Sequence, residues 1–254
     1  MVKGHPPLLL KERFSTAAAG LQRQEQLAGA LGPERPVLLL AWQAPQALIL
    51  GHSDTRLPDL PRARSALEAA GWPLLVRRSG GSACPVGPGT LQLALARVAP
   101  ADFSMDAGYG ELAGLLAAVG ASYGLAFEVG ECATAFCPGR WDIALAGRKL
   151  AGLSQRWQQR GNLRLVTTAA SLNVSADPHS LAACVETFYR HADAPRPCSP
   201  TTLHSLAQAV PEHQVTCAKF LQRLADSLAG GRTSLPSSCS IADQTGATRQ
   251  EIAL

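Results

Sequence analysis

Two segments constrain the fold more than anything else in the chain. Residues 90–97, Thr-Leu-Gln-Leu-Ala-Leu-Ala-Arg, and residues 163–174, ending Leu172-Asn173-Val174, alternate with a period of two. Strand side chains point to opposite faces in turn, so this pattern predicts strands. Two further strands are expected near 141–146 and 148–154, with Gly147-Arg148 between them as a hairpin turn. Val37–Trp42 and Ala47–Leu50 read as strands joined by the turn Gln43-Ala44-Pro45-Gln46, and Leu74-Leu75-Val76 as a short buried strand. Helices are expected over 12–31, 61–70, 106–125, 178–192, 202–209 and 215–229. Leu21, Leu27 and Leu31 mark the apolar side of the first, and Gly32-Pro33 stops it. Asp177 and Pro178 suit the cap and first position of the fourth. Strands with hairpins among helices predict an α+β fold: a mixed, largely antiparallel sheet with flanking helices.

Composition bounds the function. Of 254 residues, 46% are hydrophobic and 17% charged, so a real core can form. The formal net charge of +4 is spread along the chain. It makes no basic stripe interleaved with aromatics, so no nucleic-acid partner is expected. The N-terminal apolar run ends at Lys11-Glu12, too short for a signal peptide, and no long uninterrupted apolar stretch predicts a membrane span. A cytoplasmic protein is the expectation. Seven cysteines, at 84, 132, 137, 184, 198, 217 and 239, are an odd number without a Cys-x-x-Cys spacing, so neither a disulfide framework nor a metal site is expected. Pro195, Pro197 and Pro200 suggest a boundary between a catalytic domain over 1–195 and a helical extension over 196–254, whose last residues, 230–254, read as a loose tail rich in Gly, Ser and Thr.

Two segments carry chemistry. In the first, a strand feeds Arg77-Arg78-Ser79-Gly80-Gly81-Ser82. Glycines admit close backbone approach, and successive N–H groups can form an anion- or oxyanion-receptive concavity. An ordinary tight turn remains the other reading of these residues. The second runs from Cys137-Pro138-Gly139-Arg140-Trp141-Asp142 to Gly147-Arg148-Lys149-Leu150-Ala151-Gly152-Leu153-Ser154-Gln155-Arg156. Cys137 beside Pro and Gly suits an exposed loop, and Lys149 stands among apolar strand residues, where an ammonium is costly unless paired or used. A cation beside a thiol favours the nucleophilic thiolate, and an ammonium can stabilise an acyl oxyanion. A packing cysteine and a snorkelling lysine are the plainer alternatives.

Together these segments resemble the superfamily of lipoate-protein ligases, octanoyltransferases and biotin ligases. The likeness rests on Arg77-Arg78-Ser79-Gly80-Gly81 and on Asp142-Ile143-Ala144-Leu145-Ala146-Gly147-Arg148-Lys149-Leu150-Ala151-Gly152. Cys137-Pro138-Gly139 and Ala151-Gly152-Leu153-Ser154-Gln155-Arg156 are similar to the branch of octanoyl-[glycine-cleavage H protein]:protein octanoyltransferases, as are Asp54-Thr55-Arg56-Leu57-Pro58 and Phe188-Tyr189. The resemblance implies Cys137 as acyl-thioester nucleophile and Lys149 as contact for the acyl carbonyl. It implies a substrate site of Arg77, Arg78, Ser79, Gly80, Gly81, Ser82, Asp142, Gly152, Ser154 and Gln155. The implied partners are lipoyl-carrier proteins: the glycine-cleavage H protein and the lipoyl domains of 2-oxoacid dehydrogenases. The implied reaction needs no cofactor. Arg78 leans instead toward the ligases, which would bring ATP and Mg. The altered residues after Gly81, Ser82-Ala83-Cys84, leave a third reading: a non-catalytic lipoyl-domain-binding protein. No histidine lies near Cys137 in sequence; His52 and His179 adjoin matched segments, and a surface role is the simpler reading of each.

Overall fold

The computed structural model describes residues 7–32, 34–211 and 215–230. Its strands are β1 (Leu8–Arg13), β2 (Val37–Gln43), β3 (Ala47–Leu50), β4 (Leu74–Val76), β5 (Cys84–Val86), β6 (Thr90–Val98), β7 (Glu128–Val129), β8 (Ile143–Leu145), β9 (Arg148–Arg160) and β10 (Leu163–Asn173). Its α-helices are α1 (Ala17–Gln26), α2 (Leu60–Ala69), α3 (Met105–Ser122), α4 (Pro178–His191) and α5 (Cys217–Ala229). Seven strands form one sheet in the order β1-β2-β6-β10-β9-β8-β7, and β4-β3-β5 form a second. Only β1–β2 and β3–β4 pair in parallel, so the architecture is the expected α+β fold on largely antiparallel sheets.

The period-two residues do what the pattern requires. On β2, Leu39 and Ala41 join the core beneath α3 and α5, whereas Leu38, Leu40 and Trp42 join the core shared with α1 and β3. The large sheet is therefore buried on both faces. The small sheet packs on α2 and α4 through Leu48, Leu50, Leu67, Val185 and Phe188. The turn after Gln43 does not fold β3 back on β2; it carries the chain from one sheet to the other. The hairpin between β8 and β9 forms, turning at Ala146-Gly147. Asp177 caps α4, its carboxylate accepting the His179 and Ser180 N–H groups at 3.1 and 3.2 Å.

Three expectations are corrected. The helix placed over 12–31 starts late: residues 12 and 13 end β1, Thr16 caps α1 by accepting the Ala19 N–H at 3.2 Å, and a 3₁₀ turn covers Leu27–Ala30. Pairing with β2 takes the first residues out of helix. β5 was not among the expected strands; its Pro85 is tolerated because β5 sits at the edge of the small sheet, paired on β3 alone. The helix placed over 202–209 is instead two 3₁₀ turns, Pro200–Thr202 and Leu206–Gln208. Between them Leu203 pairs with Lys149 of β9, and the His204 N–H donates to the Lys149 carbonyl at 2.7 Å. Tertiary pairing overrides local propensity there. α5 forms as expected, and its Phe220, Leu224 and Leu228 enter the same core as Leu112, Leu116 and Val119 of α3. The expected loose tail lies, beyond Gly230, outside the described residues. Among the described residues, no helix is long and apolar enough to cross a membrane.

Candidate active site

A row of cross-strand partners lays the floor of a cleft. Gly152 of β9 pairs with Ser171 of β10, Ser171 with Gln92 of β6, and Gln92 with Trp42 of β2. All four line one cleft, which thus runs across three interstrand gaps, about 14 Å at ~4.8 Å per gap. Leu21 and Gln24 of α1, with Ile49, Cys84 and Val86 of the small sheet, form its walls. It holds about 530 Å³ of space outside atoms, its open mouth included, and its lining is mostly apolar. Phe136, Cys137 and Lys149 stand at the β9 end, with Arg77 beside them.

The glycine loop is seated by close approach. A Cβ on Gly51, at the end of β3, would lie 1.7 Å from the Gly81 carbonyl oxygen. A Cβ on Gly81, whose φ is +94°, would lie 2.9 Å from the Cys137 sulfur. The loop can therefore touch both neighbours only as glycine. Behind it, Gly51 N–H donates to Asp54 Oδ2 at 2.9 Å, the Tyr189 hydroxyl donates to Asp54 Oδ1 at 2.9 Å, and Ala83 N–H donates to the Tyr189 oxygen at 3.1 Å. Gly51→Ala is expected to lower stability by about 3 kcal/mol or more, because backbone must shift to admit the methyl. Chemical denaturation would measure it, and an unchanged midpoint would refute the close approach.

Arg77 is buried and holds the loop from inside. Its guanidinium donates to the carbonyls of Gly80 at 3.0 Å, Ile49 at 2.9 Å and Ser82 at 2.6 Å, and Nη2 lies 3.6 Å from the Cys137 sulfur. The Ser82 N–H points at the same sulfur from 3.2 Å. Cys137 itself is half-buried and adopts φ +46°, a conformation rare for a residue with a side chain. Backbone strain of this kind recurs at functional sites.

Lys149 meets Cys137 through the backbone. Its ammonium donates to the carbonyls of Phe136 at 2.9 Å and Cys137 at 2.6 Å, and pairs with Asp142 Oδ1 at 2.9 Å. Three donors thus have three partners. The cation at the sulfur is Arg77, where the sequence pointed to Lys149. Asp142 is almost fully buried, and its second oxygen accepts the Gly139 N–H at 3.1 Å and the Cys132 N–H at 3.4 Å. Burial pushes its carboxyl up to about 6, against the pull of Lys149 and of these amides. Burial also raises the thiols of Cys84, Cys184, Cys198 and Cys217, and that of Cys132 to about 11, which keeps them protonated and inert at neutral pH.

Most of the expected site residues converge here. Arg77, Cys137, Lys149, Gly152 and Ser154 line the cleft, the Ser82 N–H meets the Cys137 sulfur with Gly81 beside it, Asp142 pairs with Lys149, and the Ser79 hydroxyl bonds that of Ser154 at 3.0 Å. Gly80 is exposed at the loop tip. Two residues are not brought in. Arg78 extends outward, its side chain 70% exposed and paired with Glu25 at 3.4 Å. Gln155 points to the other face of β9, donating to Met105 O and Thr168 Oγ1. His52 and His179 are exposed. Sequence reasoning missed the roles of Gly51, Asp54 and Tyr189, although the last two stand in matched segments, and it missed His204 entirely. Among the described residues, no group of three or more His, Cys, Asp or Glu side chains is placed to hold a metal ion.

The family model of the lipoyl protein ligase A/B catalytic domain matches residues 16–229. The chain belongs to that family. Within it, the chain is 32% identical over 167 residues to the octanoyl-[GcvH]:protein N-octanoyltransferase of Geobacillus kaustophilus, covering 65% of this chain and 58% of that one. It is 29% identical over 223 residues to the namesake in Anoxybacillus flavithermus, covering 84% and 78%. A lipoyl-[GcvH]:protein N-lipoyltransferase of Listeria monocytogenes matches at 27% over 155 residues, covering 61% and 54%. This family member spans 58% of the length of the Geobacillus kaustophilus relative and 64% of that of a namesake in Exiguobacterium sibiricum. Its fold is that of a lipoate-protein ligase A solved with ATP, at a TM-score of 0.68, 16% identity, and 89% and 84% coverage. Protein Ta0514 of T. acidophilum with bound lipoic acid superposes equally well, at 0.68 and 16%, with 89% and 85% covered.

Proposed function

We propose that this chain is a cytoplasmic acyltransferase that moves an octanoyl or lipoyl group from the lysine of one lipoyl-carrier protein to that of another, through a thioester on Cys137. The observation that carries the reading is the Cys137 sulfur, held at the end of an apolar cleft with the Ser82 N–H and Arg77 aimed at it. The names of the matched relatives supply the acyl group and the GcvH carrier.

The steps balance without another reactant. The Cys137 thiol gives up its proton, the thiolate attacks the acyl carbonyl of the donor amide, the C–N bond breaks, and that proton goes to the departing lysine nitrogen, which leaves as an amine. The acceptor amine then attacks the thioester, the C–S bond breaks, and the sulfur is restored while the new amide sheds a proton. One amide replaces another, so no ATP is needed, and the nucleophile divides one slow exchange into two acyl transfers. The apolar walls fit an alkyl chain, and the Ser82 N–H is a preset donor beside the carbonyl that reacts at the sulfur. Arg78, the residue that leaned toward an ATP-dependent ligase, is engaged with Glu25 away from the cleft.

The test is to incubate the purified protein with octanoylated H protein, omit ATP, and take intact masses. One octanoyl group on the enzyme, discharged by an apo lipoyl domain, is expected. Acylation that appears only when ATP and free octanoate are supplied would overturn the reading in favour of a ligase.

The buried Asp142 gives a pH signature. Above about 6 its carboxylate pairs with Lys149; below, protonation removes that pairing. Transfer is therefore expected to fall as pH drops through about 6. The stability contribution runs the other way: the raised carboxyl favours the folded state at acid, an effect lost as pH rises from 3.8 through about 6. A rate–pH profile beside an unfolding curve would show activity failing while the fold persists. A rate flat from pH 7 to pH 5 would remove Asp142 from the account.

A further inference from the structure

Behind Lys149 lies a cluster that the reaction as written does not use. Arg148, at the start of β9, points one Nη2 at His204 Nε2, 2.9 Å away. His204 is 4% exposed, and its Nδ1 lies 2.9 Å from Gln208 Oε1, which also accepts the Ser205 N–H at 3.0 Å. The Ser205 N–H also lies 3.1 Å from His204 Nδ1, shared between that nitrogen and Gln208 Oε1. Arginine has only donors, so Nε2 is the accepting nitrogen of the ring. Nδ1 carries the proton and donates to Gln208, and Nε2 offers its lone pair to Arg148. Burial, then the Arg148 cation, favour this neutral ring, and the Gln208 contact opposes them. The backbone of the same residue donates to the Lys149 carbonyl at 2.7 Å, and Leu203 pairs with Lys149 across a parallel bridge. Lys149 is thus gripped by its main chain from the C-terminal segment while its ammonium grips the carbonyls of Phe136 and Cys137.

We propose that His204 is a positioning residue for acyl transfer: by holding Arg148 through Nε2 and Gln208 through Nδ1, it docks residues 203–208 on the start of β9 and fixes Lys149, and so the Cys137 loop, for reaction. This rests on the reading of Cys137 and Lys149 as reaction residues. It gives the segment beyond Pro200 a part in the site and not only in the core. The chain of contact has four links: Gln208, His204, Arg148 with Lys149, and the loop of Cys137.

Three variants test it, His204→Leu, His204→Gln and Arg148→Met, each checked for a native far-UV spectrum. Two readouts are taken: the rate of Cys137 octanoylation from octanoylated H protein across donor concentrations, and the rate of Cys137 alkylation by iodoacetamide, mapped by peptide mass. His204→Leu is expected to lower the limiting octanoylation rate about tenfold, with the half-saturating donor concentration unchanged. Alkylation of the loosened loop should rise at least about threefold. Arg148→Met should match it, the double variant should be no worse, and His204→Gln, which keeps an acceptor for Arg148, should recover most of the rate. If His204→Leu does not fold, Arg148→Met and His204→Gln carry the same comparison. A folded His204→Leu or Arg148→Met that reacts at the wild-type rate in both readouts overturns the proposal, as does a His204→Gln as impaired as Arg148→Met. Failure of the wild type to form any octanoyl adduct would instead overturn the thioester reading, and the alkylation rates would still decide the positioning role.

Discussion

Cys137→Ala is expected to abolish the acyl-enzyme and to lower acyl transfer by roughly 10⁴-fold or more, the scale seen when a covalent nucleophile is removed. The fold should survive. Cys137 is half-buried in a loop, and alanine deletes only a sulfur that accepts from Ser82 N–H and Arg77. Because the residue is held at φ +46°, the substitution keeps a Cβ at a strained position, and stability should move by less than about 1 kcal/mol. Intact mass after incubation with an octanoylated carrier reads the first effect, and chemical denaturation the second. An octanoyl adduct that persists in Cys137→Ala would move the nucleophile elsewhere. Cys84, which lines the same cleft, would be the next thiol to examine, although burial holds its proton on. Cys137→Ser is the sharper control. A hydroxyl is a far poorer nucleophile than a thiol at neutral pH, so this variant should lose nearly as much rate while keeping a polar atom under Ser82 N–H.

The strands and the candidate site were legible in the sequence for different reasons. Residues 90–97 and 163–174 announced themselves because each alternate side chain enters a different core, and the pattern survives whatever the strand pairs with. Cys137 and Lys149 were legible because they stand in one ordered motif, with Asp142 between them. What the motif could not show is which cation faces the sulfur. Lys149 follows Cys137 closely in sequence, yet its three donors go to two carbonyls and a carboxylate, while Arg77, sixty residues away, reaches the thiol. The same limit hid Gly51, whose neighbour is the Gly81 carbonyl, and His204, whose importance depends on an extended stretch within residues that read as helix. Gln155 shows the opposite error. It lies in the motif beside Ser154, and strand alternation sends it to the far face, onto Met105 and Thr168. Motif membership selects residues; period two decides which of them reach the cleft.

Lys149→Met should both unfold and inactivate, and the two losses can be separated. Lys149 and Asp142 are 2% and 1% exposed, so removing the ammonium leaves a carboxylate in the core with only two backbone amides for company. Breaking a buried pair in this way costs about 3–5 kcal/mol. Part of that cost is softened because the Asp142 carboxyl, already raised to about 6, takes up a proton more readily than an exposed one. The double variant Lys149→Met with Asp142→Asn removes both charges, so it should recover stability relative to Lys149→Met alone; a double-mutant cycle by denaturation measures the coupling. Activity should not recover with it. The ammonium ties down the carbonyls of Phe136 and Cys137, and without that tie the sulfur leaves its place under Ser82 N–H. With all three of its donors engaged, the ammonium can meet an acyl oxyanion only by releasing one partner. Lys149 therefore acts first by holding the Cys137 loop. A double variant that regains stability and also transfers octanoyl groups at the wild-type rate would show that Lys149 serves the fold alone.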